Sequence, residues 1–226
     1  MHNVDPIVSF TFDDFPRSAL LMGGKILREH AAIGTYFMSF GLMGKVAPTG
    51  EIFSADDLPE LIAQGHELGC HTFDHCHSWE TPPGEFERSV IRNQEALERY
   101  LPGRKFQTLS YPISVPRAGT KRCLARHFVC CRGGGQFLNS MTADLNYLNA
   151  FFIEQSRENP AAIERVIEEN ARRKGWLIFA THDISNSPTA FGCTPGLFAD
   201  VVNWARESGA RILPVAEALK VSQREG

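Results

Sequence analysis

The residues with the clearest chemistry are two histidines four apart, in the stretch His71-Thr72-Phe73-Asp74-His75. They follow the segment Glu67-Leu68-Gly69-Cys70, so a chain that curls at the end of a strand turns both imidazoles toward one point. Imidazole nitrogen is a common ligand for zinc and its neighbours. Two ligands do not make a metal site, and a carboxylate is the natural third. The adjacent acids Asp13 and Asp14 end the run Ser9-Phe10-Thr11-Phe12. A further imidazole, His182, lies just past Trp176-Leu177-Ile178-Phe179-Ala180. One carboxylate with two imidazoles leaves open positions on a bound ion. Such an ion lowers the pKa of its water from 15.7 toward about 7 and polarises a carbonyl.

These groups need elements to position them. Strand-like runs cover residues 7–12, 34–40, 67–72, 108–111, 127–131, 151–154, 176–180 and 211–214. Helical runs alternate with them at about 18–29, 86–100, 159–174, 194–209 and 215–219, and the capping-box-like Ser54-Ala55-Asp56-Asp57 opens another that stops near Gly65. Asn159-Pro160 and Thr194-Pro195 are cap-plus-proline starts. The alternation predicts an α/β fold with parallel strands, and seven or eight strand–helix units predict a barrel-like closure. Asp13, Asp14, His71, Tyr111 and His182 all fall at C-terminal strand ends, the face that carries chemistry in barrels.

A chain of 226 residues is most simply one domain, 1–226. With 43% hydrophobic and 22% charged residues it reads as a soluble globular protein. A formal charge of -3 without a long basic run argues against a nucleic-acid partner. No apolar run approaches the ~20 residues of a membrane span. The first residues carry no basic region followed by an apolar one, so the expected location is cytoplasmic. The six cysteines lack CxxC spacing and read as buried thiols in a reducing compartment. Cys70, adjacent to His71, would face the other side of an extended strand.

Thr11-Phe12-Asp13-Asp14, His71-x-x-x-His75, Ser110-Tyr111-Pro112 and Thr181-His182-Asp183 together resemble the ordered motifs of the NodB-homology polysaccharide deacetylases, the fourth family of carbohydrate esterases. The resemblance spans residues 9 to about 215. It implies a distorted (β/α) barrel of about seven strands in a single domain, and metal-dependent hydrolysis of an N-acetyl group on an amino-sugar substrate, with Zn2+ the usual metal. Carried over by motif, Asp14, His71 and His75 are the metal ligands, Asp13 the general base and His182 the general acid. Tyr111, Pro112 and Ile113 would form the oxyanion and substrate pocket, with the backbone N–H of Ile113 holding the oxyanion. The third motif usually has an arginine that orients the base; Ser110 stands there, and Arg132 and Arg117 are the candidate replacements. The aspartate that partners the acid histidine is taken as Asp144, with Asp183 a second candidate partner. Ala180 replaces a usual leucine, which would widen the pocket floor.

Each group also has a plainer reading. Asp13-Asp14 fits a solvated turn at a helix start, and the histidines fit loop or core positions. His77 would lie at the rim, Trp79 could stack on a sugar or simply pack, and Gly133-Gly134-Gly135 could be an anion nest or a turn. Two other functions fit the same residues. One is hydrolysis of another small C–N bond, such as a cyclic imide or ureide-like amide. The other is a non-catalytic carbohydrate-binding relic.

Overall fold

The computed structural model describes residues 3–113 and 115–225. The chain begins with strand β1 (Ile7–Phe12), a π-helical turn (Ala19–Gly24), helix α1 (Lys25–Glu29) and β2 (Thr35–Met38). A short hairpin, β3 (Val46–Ala47) and β4 (Gly50–Glu51), precedes α2 (Asp57–Ala63) and β5 (Glu67–Cys70). Then come α3 (Pro83–Tyr100), β6 (Thr108–Ser110), α4 (Ala118–Leu124), β7 (Cys130–Arg132) and β8 (Phe151–Phe152). The chain ends with α5 (Pro160–Arg173), β9 (Trp176–Thr181), α6 (Pro195–Glu207), β10 (Arg211–Ile212) and α7 (Val215–Glu225). Among the described residues no helix is long and apolar enough to cross a membrane.

The main sheet runs β7-β6-β5-β2-β1-β9-β8, all parallel, with β10 added on the β2 side of β1. Beyond β7 the chain descends to Asn139, which pairs with Trp176, then rises so that Leu148 bridges Arg132 and Phe151–Phe152 pair with β9. This return segment curls the seven-strand path toward closure as a distorted α/β barrel. Gly133-Gly134-Gly135 is neither nest nor free turn. Its backbone ladders onto Leu148 and Ala150, and a Cβ on Gly133 would fall 2.2 Å from the Tyr147 ring.

The central strands are buried on both faces, as parallel strands covered by helices must be. Their side chains alternate. Ile7, Phe37, Cys130, Trp176, Ile178 and Ala180 fill the lumen, together with Val215, Ala218 and Leu219 of α7. Phe10, Phe12, Tyr36, Leu109 and Phe179 face the helices instead. There Phe10 stacks on Phe179 at 5.5 Å, and Phe86, Val90 and Leu97 of α3 recur at helical spacing.

Several expected elements changed character, and the strand expected at 151–154 gives way at Ile153 to a 3-10 helix. The helix expected over 18–29 begins as a π turn, and the Tyr36 hydroxyl donates to the Ala19 carbonyl there (3.2 Å). The strand expected at 127–131 runs 130–132, which brings Arg132 into the sheet.

Candidate active site

The alternation that fills the lumen also builds the site. Continuing each strand's inward series past its last apolar residue gives Asp13 after Ile7, His71 after Glu67 and Gly69, Ser110 after Thr108, Arg132 after Cys130, and His182 after Ile178 and Ala180. Side chains from strands far apart in sequence thus meet at the C-terminal mouth of the barrel.

Asp14 has the opposite parity, but its φ of 61° turns the chain back on itself. Its Oδ1 lies 3.1 Å from His75 Nε2 and 3.5 Å from His71 Nε2. One ligand atom from each of Asp14, His71 and His75 lies within 4.8 Å of the others. His71 Nδ1, next to the Ser110 carbonyl at 2.9 Å, must donate to it, which leaves the Nε2 lone pair free to ligate. Burial pushes the His71 pKa down to about 4, with Asp13 opposing, so the ring is neutral near pH 7. Burial would raise the Asp14 carboxyl, but contact with His75 and the charge of His71 bring it well below the usual range. Thr49, buried at the tip of the β3–β4 hairpin, donates to Asp14 Oδ2 at 2.9 Å. Buried Oδ1 keeps no hydrogen bond of regular geometry among the described residues. A carboxylate oxygen and two imidazole nitrogens converging in this way suit a divalent cation.

The loop that carries His75 is braced from outside. Asp74 accepts from Ser89 Oγ (2.8 Å) and Arg92 (2.9 Å), and Cys76 N donates to Thr72 Oγ1 (3.1 Å). The six cysteines are free; Cys70, Cys130, Cys131 and Cys193 are buried.

Asp13 is bound by the Arg132 guanidinium, which is 1% exposed. Burial raises the Asp13 carboxyl, but Arg132, then His71 and His182, outweigh it, so the group titrates below the ordinary range. Arg132 is the sheet neighbour of Ser110. The cation usual at the Ser110 position thus stands one strand over, on β7, at the candidate Arg132. Arg117 does not reach Asp13; it donates to the Trp79 and Glu80 carbonyls.

His182 Nδ1 lies 3.1 Å from the Phe191 carbonyl, which can only accept, so Nδ1 carries a proton. Glu154, which the sequence reading passed over, has Oε1 4.0 Å from the same nitrogen and a buried Oε2 with no hydrogen-bond partner among the described residues. Burial and the nearby Asp13 charge push its pKa up to about 8. Asp144 does not take that place: its carboxylate pairs with Lys121 and the Asn146 amide. Asp183 does not touch His182 either. It binds Thr189 N (2.9 Å) and Oγ1 (2.5 Å), and that hydroxyl accepts from Phe191 N (3.1 Å). Asp183 thereby shapes the loop that offers the Phe191 carbonyl. A Cβ on Gly192 would meet the Asp183 carbonyl at 2.2 Å, so this turn requires glycine.

The third-motif segment is divided. The Tyr111 side chain points outward to the helix layer, with its ring 6.1 Å from Phe86, so only its backbone borders the mouth. Its expected place in the pocket is corrected on that ground, since lumen-facing Ser110 forces the next side chain out. The Pro112 carbonyl accepts from Ser78 Oγ at 2.6 Å. Ile113 has φ 66° and is 63% exposed. Trp79 is 58% exposed on the preceding loop.

A family model described as polysaccharide deacetylase matches residues 2–127, more than half of the chain, and the chain belongs to this family. A curated relative, the chitooligosaccharide deacetylase of Azorhizobium caulinodans, is 32% identical over 104 residues, which is 44% of this chain and 43% of the relative. The match thus spans less than half of that protein. Among solved structures, the chitin deacetylase of the fungal pathogen Colletotrichum lindemuthianum is similar with a TM-score of 0.68 and 16% identity, over 96% of this chain and 89% of its own. A CE4 family pseudoenzyme from Bacillus anthracis gives 0.62 and 12%, over 96% and 66%. The fold is therefore shared by a protein described as a chitin deacetylase and by one described as a pseudoenzyme, and activity must be argued from the site.

Proposed function

We propose that this chain is a metal-dependent hydrolase that removes an N-acetyl group from an amino-sugar-containing oligo- or polysaccharide. The observation that carries the reading is one largely buried cluster in which Asp14, His71 and the half-buried His75 converge beside the Asp13–Arg132 pair and His182. Asp14, His71 and His75 would hold the ion, with zinc the first metal to test. When bound, it would polarise the acetyl carbonyl and acidify water.

The chain's own groups supply the proton transfers. Asp13, kept ionised and oriented by Arg132, takes a proton from the attacking water. The Ile113 N–H steadies the charge that develops on the carbonyl oxygen. His182 holds its Nδ1 proton on the Phe191 carbonyl throughout, so exchange takes place at Nε2. As the C–N bond breaks, Nε2–H protonates the leaving amine and acetate departs. Glu154, when ionised, stabilises the imidazolium that precedes this step.

Elemental analysis of the purified protein and an acetate-release assay on chitooligosaccharides test the reading together. His71→Ala and His75→Ala should each lose bound metal and turnover. Full metal stoichiometry in both variants, or a metal-loaded wild type that releases no acetate, would sink it. Ring opening of a cyclic amide without acetate release would move the chemistry to another C–N bond.

A further inference from the structure

Five non-glycine residues at the mouth of the barrel have positive φ: Asp14, Phe15, Thr72, His75 and Ile113. Ile113 is the most costly, because a β-branched side chain disfavours the left-handed region strongly. Such conformations persist only where the surroundings over-determine them, and they cluster at functional sites. Packing does not hold Ile113, since its side chain is largely exposed. The restraint has to act through the backbone.

Ser78 supplies it. Its side chain is fully buried in the loop after the histidines, and Oγ donates to the Pro112 carbonyl at 2.6 Å. That carbonyl and the Ile113 N–H belong to the same peptide unit. A peptide is planar and trans, so anchoring its C=O fixes the direction of its N–H. The segment is also tied upstream, where Tyr111 N donates to the Arg132 carbonyl (2.9 Å), and downstream by Arg117 on Trp79 and Glu80. Neither of those bonds touches the 112–113 peptide.

We propose that Ser78 is a positioning residue: by holding the Pro112 carbonyl it keeps Ile113 left-handed and aims the Ile113 N–H at the reacting carbonyl. This rests on the deacetylase reading above. It joins the loop carrying His75 to the loop carrying the amide, so that two parts of the site are set by one hydroxyl.

A double-mutant cycle tests it. In the wild-type background Ser78→Ala should lower kcat at least ~10-fold, short of the ~100–1,000-fold cost of losing a transition-state donor outright, with KM changed less than ~3-fold and metal content unchanged. Glycine takes the left-handed region freely, so in an Ile113→Gly background the same change should cost under ~3-fold in kcat. Ser78→Thr, which keeps the hydroxyl, and Ser78→Val, which does not, repeat the contrast if the alanine variant folds poorly. Thermal unfolding gives the same cycle without substrate: Ile113→Gly should raise Tm in the wild-type background and raise it less with Ser78→Ala. An equal kcat loss in both backgrounds, no loss, loss of metal, or equal Tm gains would overturn the role of Ser78. A metal-loaded wild type without acetate release would instead overturn the deacetylase reading, with the Tm cycle still deciding whether Ser78 holds the strain.

Discussion

Asp13 and Arg132 form an ion pair almost removed from water, and that fixes what either one does alone. Removing one partner of a buried pair leaves the other charge uncompensated, which typically costs about 3–5 kcal/mol. Arg132→Met should destabilise by that order and lower turnover. With the cation gone, burial prevails and the Asp13 pKa rises. The acid limb of kcat/KM should therefore move to higher pH, and a pH–rate profile of the metal-loaded variant reads it. The sign for stability follows from the lowered pKa. Asp13 contributes its share above the unfolded value near 3.9 and loses it only as pH falls through the lower folded value. Arg132 was legible in the sequence because it follows a strand and Ser110 leaves a vacancy that needs a cation. Glu154 was not, since an acid in Phe151-Phe152-Ile153-Glu154 looks like any strand-end charge until the fold sets it beside His182. Asp144 is held instead by Lys121, a pairing across 23 residues that sequence order does not reveal.

The β3–β4 hairpin is two residues per strand and shows no periodicity, yet its tip delivers Thr49 to Asp14. Groups that orient a ligand are commonly worth 10–100-fold in metal affinity. Thr49→Val, which keeps the shape and drops the hydroxyl, should weaken binding of the metal alone by about that factor in a competition titration. Helix α4 escaped detection for a similar reason, because only Thr120 and Leu124 are buried in it and Ala118-Gly119-Thr120 does not announce a helix. The longer elements were plain: β9 is a continuous apolar run, and Thr194 caps α6 by accepting from Leu197 N (3.3 Å). Strand parity would also have excluded the Tyr111 ring from the pocket, once Ser110 was assigned to the lumen.

Across the molecule, the mouth of the barrel concentrates buried ionisable groups, and Glu154 is one whose shift bears on the pH response of the metal-free protein. Its folded pKa of about 8 exceeds the ordinary 4.5. Between those values the native state binds more protons than the unfolded state, so stability falls as pH rises through that window and then levels. Chelated Glu154→Gln should show a larger Tm gain over wild type at pH 8 than at pH 5. The topology has a temporal consequence as well. Asp14, His71 and His75 all lie within the first 75 residues, on β1 and β5 and the loops that follow them, with β2 between. The other edge of β1 pairs with β9, Ile7 with Trp176 and Phe12 with Thr181. At roughly 5–20 residues per second of synthesis, that partner leaves the ribosome on the order of 10–30 s later. On a nascent chain Asp14, His71 and His75 are thus all present before Arg132, Glu154 and His182, and the central strand waits with one edge open. A chaperone or an early-captured ion would find its target in that interval.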